Sequence, residues 1–173
     1  MTLLRIWLFL FPALAYSTVG LGGRIGVAIP DEIDATFTFG FFANFDVAPN
    51  FQIQAGLDYW QESEQTGNHT LEVSDLAMTG TGVYVFSVPK SKFKPYMGFG
   101  FGIHNVSIEN QWPWGIIDDD DTEFGFHFLG GGKLSVTRSA NVLGEFRFSA
   151  IDDFGYDAFS ITWGLEFLLP QSR

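Results

Sequence analysis

Large apolar side chains recur at every second position through most of this chain, with polar or small residues between them. Phe37, Phe39 and Phe41 interleave with Thr36, Thr38 and Gly40, and Met97, Phe99, Phe101 and Ile103 interleave with Gly98, Gly100 and Gly102. A period of two belongs to β-strands, whose successive side chains point to opposite faces. It predicts eight strands, over residues 21–29, 35–47, 51–62, 71–88, 95–108, 124–136, 140–151 and 158–169. Ala48-Pro49-Asn50, residues 89–94 and Thr137-Arg138-Ser139 form short connections, whereas 63–70 and 109–123 are long. Short turns at one end and longer loops at the other suit an up-and-down barrel.

The two phases differ in chemistry. One carries Phe37, Phe39, Phe41, Phe45, Phe51, Ile53, Leu57, Tyr59, Met97, Phe99, Phe101, Ile103, Phe124, Phe126, Phe128, Phe146, Phe148, Phe159, Ile161, Trp163, Leu165 and Phe167. The other carries Arg24, Thr36, Thr38, Gln52, Gln54, Asp58, Gly98, Gly100, Gly102, His104, His127, Lys133, Glu145, Arg147, Ser160, Thr162 and Glu166. Strand four is mixed, because Val83 and Val85 share a phase with Asp75, Thr79 and Thr81. A barrel of eight strands has an interior only just wide enough for side chains, so the bulky aromatic phase must face outward. An outward apolar belt requires lipid. The expected fold is all-β, an eight-stranded antiparallel up-and-down transmembrane β-barrel, closed by the terminal stretch Thr162-Trp163-Gly164-Leu165-Glu166-Phe167-Leu168-Leu169 pairing with the first strand.

The N-terminus reads as an export signal. Arg5 supplies the positive start, residues 6–14 an apolar stretch, and Ala13-Leu14-Ala15 a small-x-small cleavage site. The expected organisation is a signal peptide over 1–15 and a barrel domain over 16–173. No apolar run reaches the roughly 20 residues of a helical span. A membrane-embedded mature chain is then left with the closed barrel, which pairs every backbone group internally.

Composition narrows the function classes. The 173 residues hold 20 Phe and 20 Gly, suiting bulky residues outside and small ones inside, and the absence of Cys excludes disulfides and thiolate metal sites. The formal charge of −11 becomes −12 once Arg5 is cleaved away, which excludes a nucleic-acid partner needing a basic face. Charge is also sorted by end. Asp31, Glu32, Asp34, Glu62, Glu64, Glu109, Asp118, Asp119, Asp120, Asp121, Glu123, Asp152, Asp153 and Asp157 fall in one set of connections. Lys90, Lys92, Lys94, Arg138 and Arg173 fall in the other or the tail.

Candidate chemistry is sparse. Inward Arg24, Asp58, Lys133, Glu145, Arg147 and Glu166 are expected to form a paired structural network, since isolated charges in a narrow interior are costly. An ion path is the alternative reading of the same residues. Asp118, Asp119, Asp120 and Asp121 lack the alternating ligands and glycine of an EF-hand loop, and read as an acidic loop able at most to bridge divalent ions to lipopolysaccharide phosphates. Trp112 and Trp114 in the same loop read as adhesive contacts, as membrane-interface anchors or as a small loop core. The sequons at Asn68 and Asn105 are chance matches. No catalytic, cofactor or metal residue is assigned.

Lys94-Pro95-Tyr96-Met97-Gly98-Phe99-Gly100-Phe101-Gly102, Phe128-Leu129-Gly130-Gly131-Gly132, Glu145-Phe146-Arg147-Phe148 and the terminal strand together resemble the small outer-membrane β-barrel family of opacity-type proteins and the membrane domain of outer-membrane protein A. That resemblance implies a Gram-negative-type outer membrane location with both termini periplasmic. Its implied partners are outer-membrane lipids, lipopolysaccharide and the barrel assembly machinery. The expected role is non-enzymatic, envelope-structural or surface contact through extracellular loops, with the external partner open. Two alternatives remain. A lipid-A-modifying enzyme similar to the deacylases needs a His and a Ser two apart on one face, yet His104 precedes Ser107 by three, His127 has Gly125 and Leu129 as same-face neighbours, and His69 lies in a polar loop. An exported lipocalin-like ligand-binding barrel would instead turn its aromatics inward.

Overall fold

The computed structural model describes residues 18–31, 34–66, 69–112, 115–151 and 156–169, apart from the side chains within 64–71 and 110–120 and that of residue 156. Eight strands follow in chain order: β1 (Val19–Pro30), β2 (Thr36–Ala48), β3 (Phe51–Thr66), β4 (His69–Val85), β5 (Phe93–Trp112), β6 (Gly115–Ser135), β7 (Ala140–Ile151) and β8 (Tyr156–Leu168). Each pairs antiparallel with its sequence neighbours, and β8 returns to β1, closing the barrel. The closing seam runs from Gly20 opposite Leu168 to Pro30 opposite Ala158. The Leu169 N–H donates to the Val19 carbonyl at 2.8 Å just beyond it. At the short-turn end, Asn50 closes the β2–β3 connection with φ of 63°, a left-handed conformation that asparagine tolerates better than most residues.

The two phases separate as their chemistry requires. Phe41 is 64% exposed on the outer wall while Arg24, on the neighbouring strand, is 3% exposed inside. Outer aromatics form ladders, with Phe99 stacked on Phe126 at 6.2 Å and Phe101 on Phe124 at 6.0 Å between ring centroids. Polar side chains therefore turn inward and aromatics outward, the reverse of what a lipocalin-like barrel needs.

Two expectations are corrected. Residues 63–70 and 109–123 are not long loops, because β3 and β4 stay paired to Thr66 opposite His69, and β5 and β6 to Trp112 opposite Gly115. A ribbon that leaves the bilayer has water on both faces, so it loses the apolar alternation while keeping its ladder. β4 also stops at Val85 rather than 88, and Phe86 donates its N–H across to the Pro95 carbonyl at 2.8 Å before the turn. The consequence is asymmetric height. β3 to β6 extend beyond the rim, whereas β1, β2, β7 and β8 stop near it.

The inward phase is not wholly polar. Val83, Val85, Tyr96 and Leu129 pack into an apolar plug near the short-turn end, and Leu129 is completely buried. Ala28, Trp60 and Val73, with Val106 and Ile108 against them, close the opposite end. Glycines make room for the inward side chains between these plugs. A Cβ on Gly40 would strike the Asp58 carboxylate, and one on Gly100 would strike the His127 ring and the Gly80 carbonyl.

Candidate functional site

The polar interior is built from side chains that the register brings to one axis. Arg24 on β1 donates through Nε to Asp58 Oδ1 at 2.7 Å and through its terminal nitrogens to Asp58 Oδ2 at 2.5 Å and Glu145 Oε1 at 2.8 Å. Arg147, two residues from Glu145 on β7, reaches Asp58 at 2.9 Å and Glu145 at 3.1 Å. Two guanidinium forks and two carboxylates thus make a closed ring across three strands, and each charge faces two of the opposite sign. The Tyr96 hydroxyl completes it by donating to Glu145 Oε2 at 3.0 Å.

A second cluster lies toward the short-turn end. Lys133 donates to Glu166 at 3.0 Å and to Gln52 at 3.0 Å, and Glu166 also accepts from Asn44 at 2.6 Å and Asn141 at 2.8 Å. Burying a charged pair is tolerable only when the remaining lone pairs and protons find partners, and here Asn44 and Asn141 take up the carboxylate. All six charged residues expected inside are therefore divided between a four-membered ring and a Lys–Glu pair.

Sequence reasoning missed the histidine partners. His104 Nδ1 lies 2.8 Å from Asp75 Oδ2, joining β5 to β4, and His127 Nε2 lies 2.7 Å from Thr81 Oγ1. Asp75 and Ala77 face His104 only because β4 and β5 run in this register. The signal for this contact was the shared phase of Asp75 and Thr81. Asp75 Oδ1, Thr79 Oγ1 and His104 Nε2 have no hydrogen-bond partner among the described residues, and Asp75, Thr79 and His104 border a cavity of about 50 Å³ with Ser149, Ser160 and Thr162. That space accommodates about one or two water molecules and no substrate.

The expected loop residues take a different place. Trp112 ends β5, its backbone opposite Gly115, and Trp114 lies outside the described residues. Asp118, Asp119, Asp120 and Asp121 stand in β6 opposite Glu109, Ile108, Ser107 and Val106, and Asp121 is exposed. His69 begins β4 opposite Thr66. Among the described residues no three acidic or histidine groups converge as a metal site. His104 and His127 both point away from the lipid-facing wall, while Ser107 sits on the opposite phase from His104.

A closed eight-stranded barrel with an aromatic outer wall, polar filled interior and sorted ends defines an outer-membrane β-barrel protein. The chain belongs to the outer membrane protein beta-barrel domain family, whose sequence model matches residues 1–167. It is similar in structure to Neisserial surface protein A, with a TM-score of 0.70 at 13% identity over 88% of this chain and 97% of that one. Ail, the attachment invasion locus protein of Yersinia pestis, solved with the heparin analogue sucrose octasulfate, gives 0.62 at 9% identity over 88% and 97%. The outer membrane enzyme PagL gives 0.53 at 14% over 84% and 97%. No curated protein sequence matches the chain.

Proposed function

We propose that the protein is a non-enzymatic outer-membrane barrel that makes contacts at the cell surface through the wall formed by β3 to β6, with its short turns and both termini in the periplasm and residues 1–15 removed on export. One observation carries this reading. His104, His127 and the six inward charged residues are tied into an interior with no room for a substrate, whereas the β3–β6 wall projects past the rim. A lipid-modifying enzyme would need its nucleophile and base on the lipid side of the wall, and both buried histidines lie on the other side. The sulfated ligand of Ail does not suit this chain, because the projecting end is acidic.

The test is a hairpin truncation. Replacing residues 107–120 by Asn-Gly leaves Val106 opposite Asp121 as the closing pair, in the same alternation as the native closing pair Trp112 and Gly115. Cells displaying this variant should lose retention on protein-coated surfaces and on neighbouring cells while the barrel still folds. Unchanged retention with a folded barrel overturns the surface-contact reading.

A further inference from the structure

Among the described residues, every exposed cation lies on one arc of the short-turn rim. Lys90, Lys92 and Lys94 stand in and beside the β4–β5 turn and Arg138 in the β6–β7 turn. The Ser135 N–H donates to the Lys92 carbonyl at 3.1 Å, which sets the two turns side by side across the β5–β6 ladder. The β2–β3 turn, Ala48-Pro49-Asn50, carries no charge. Among the described residues none of the four cations forms an ion pair. The acids at this end are already engaged. Glu166 is buried and bonded to Lys133, Asn44 and Asn141, and Asp46 accepts from Gln52 at 2.6 Å. Lys90 also sits at φ of 63°, a backbone conformation that glycine takes without penalty and a side chain does not.

An apolar collar borders the same arc. Phe93, Leu134 and Val142 stand opposite one another across β5, β6 and β7, and all three are exposed on the outer wall. Phe86, Val88 and Val136, in the residues that lead into these turns, are exposed as well. A soluble polyanion would use the cations and leave the collar in water. An amphiphile with an anionic headgroup uses both, because its acyl chains cover the collar while its phosphate meets the lysines, whose stems run along apolar surface and whose ammonium groups reach headgroup level.

We propose that the β4–β7 arc of the short-turn rim selects anionic phospholipids, of the phosphatidylglycerol or cardiolipin type, from the periplasmic leaflet. The inference rests on the orientation in the proposed function, which puts the short turns in the periplasm. Among the described residues the opposite rim exposes no Lys or Arg, so it cannot make the same selection.

The experiment places the folded full chain in phosphatidylcholine vesicles and compares, by electron paramagnetic resonance, the association of spin-labelled phosphatidylglycerol and spin-labelled phosphatidylcholine with the barrel. Phosphatidylglycerol should be preferred by about fivefold or more, the effect of at least one basic residue held at an anionic headgroup. The preference should vanish when Lys90→Gln, Lys92→Gln, Lys94→Gln and Arg138→Gln are combined, in a variant whose heat-dependent gel mobility shows it folded. It should also vanish in the unchanged protein at high salt, which keeps the test open if the variant does not fold. Equal association of the two lipids with the unchanged protein, or an undiminished preference in the folded variant or at high salt, overturns the inference. So does displacement of the lipid by inorganic phosphate beyond that by chloride of equal ionic strength, which would make the arc a free-phosphate site. Because the chain has no cysteine, Ser139→Cys supplies a unique thiol on the exposed β6–β7 turn. A membrane-impermeant maleimide should label it only after the outer membrane is permeabilised. Labelling on intact cells would overturn the orientation, and with it the leaflet named here, whereas absence of the lipid preference with the thiol shielded overturns the lipid selection alone.

Discussion

Arg24 and Asp58 sit on strands β1 and β3, separated by β2, yet their side chains meet in a two-pronged contact at 2.7 and 2.5 Å in the barrel centre. They can reach each other because Gly40, on the strand between them, has no side chain to occupy the gap. The bond ties together strands that share no backbone ladder. It therefore adds cross-barrel rigidity that hydrogen bonding along the wall cannot supply.

Breaking this ring at one member leaves buried charge without a full complement. Asp58→Ala should destabilise the barrel by about 3–5 kcal/mol, because Arg24 and Arg147 would then share Glu145 alone. Arg24→Ala and Asp58→Ala combined should cost clearly less than the sum of the two single changes. Urea refolding titrations of the four proteins measure the coupling, and simple additivity would remove the ring from the account.

The outer wall should reject charge. Phe101→Arg and Phe126→Arg should each cost roughly 2–4 kcal/mol if they lie near the bilayer midplane, since lipid cannot solvate a guanidinium there. Thr162→Ser, on the inward phase, should cost much less. Refolding into lipid vesicles is the measurement, and equal tolerance of all three would mean that the wall has been turned inside out.

Gly80 and Gly100 face each other's neighbourhoods on β4 and β5 but differ in what surrounds them. A Cβ on Gly100 would meet the Gly80 carbonyl and the His127 ring, whereas one on Gly80 would make only a 4.0 Å contact with Phe101. Gly100→Ala should therefore destabilise by about 1–3 kcal/mol, the usual range for overpacking. Gly80→Ala should be close to neutral. Thermal unfolding in detergent compares them directly.

The face assignments were legible because lipid on one side and a packed polar interior on the other force the strongest possible contrast between neighbouring residues. Phe41 and Arg24 announce their sides by chemistry alone. Phe42, Trp60, Tyr96 and Leu129 do not, since an inward apolar residue has the same composition signal as a lipid-facing one. The ribbon over residues 109–123 was invisible for the opposite reason: with water on both faces, nothing selects alternation there. The Asp75–His104 contact lies 29 residues apart along the chain and depends on a β4–β5 register that periodicity does not specify.

Changing His104 and His127 together to Asn should leave the lipid A mass profile of the host cell unaltered. Both rings are buried and bonded to Asp75 and Thr81 within the interior. Mass spectrometry of extracted lipid A is the check. A changed profile would assign a catalytic role to the interior and replace the surface-contact account.

Closure of the barrel within the outer membrane is tested by the gel mobility of unheated against boiled outer-membrane fractions. A fully paired barrel resists detergent unfolding until heated. The two samples should therefore run at different apparent sizes, with the protein recovered in the outer-membrane fraction. Identical mobility, or recovery in the soluble periplasm without detergent, would contradict the account.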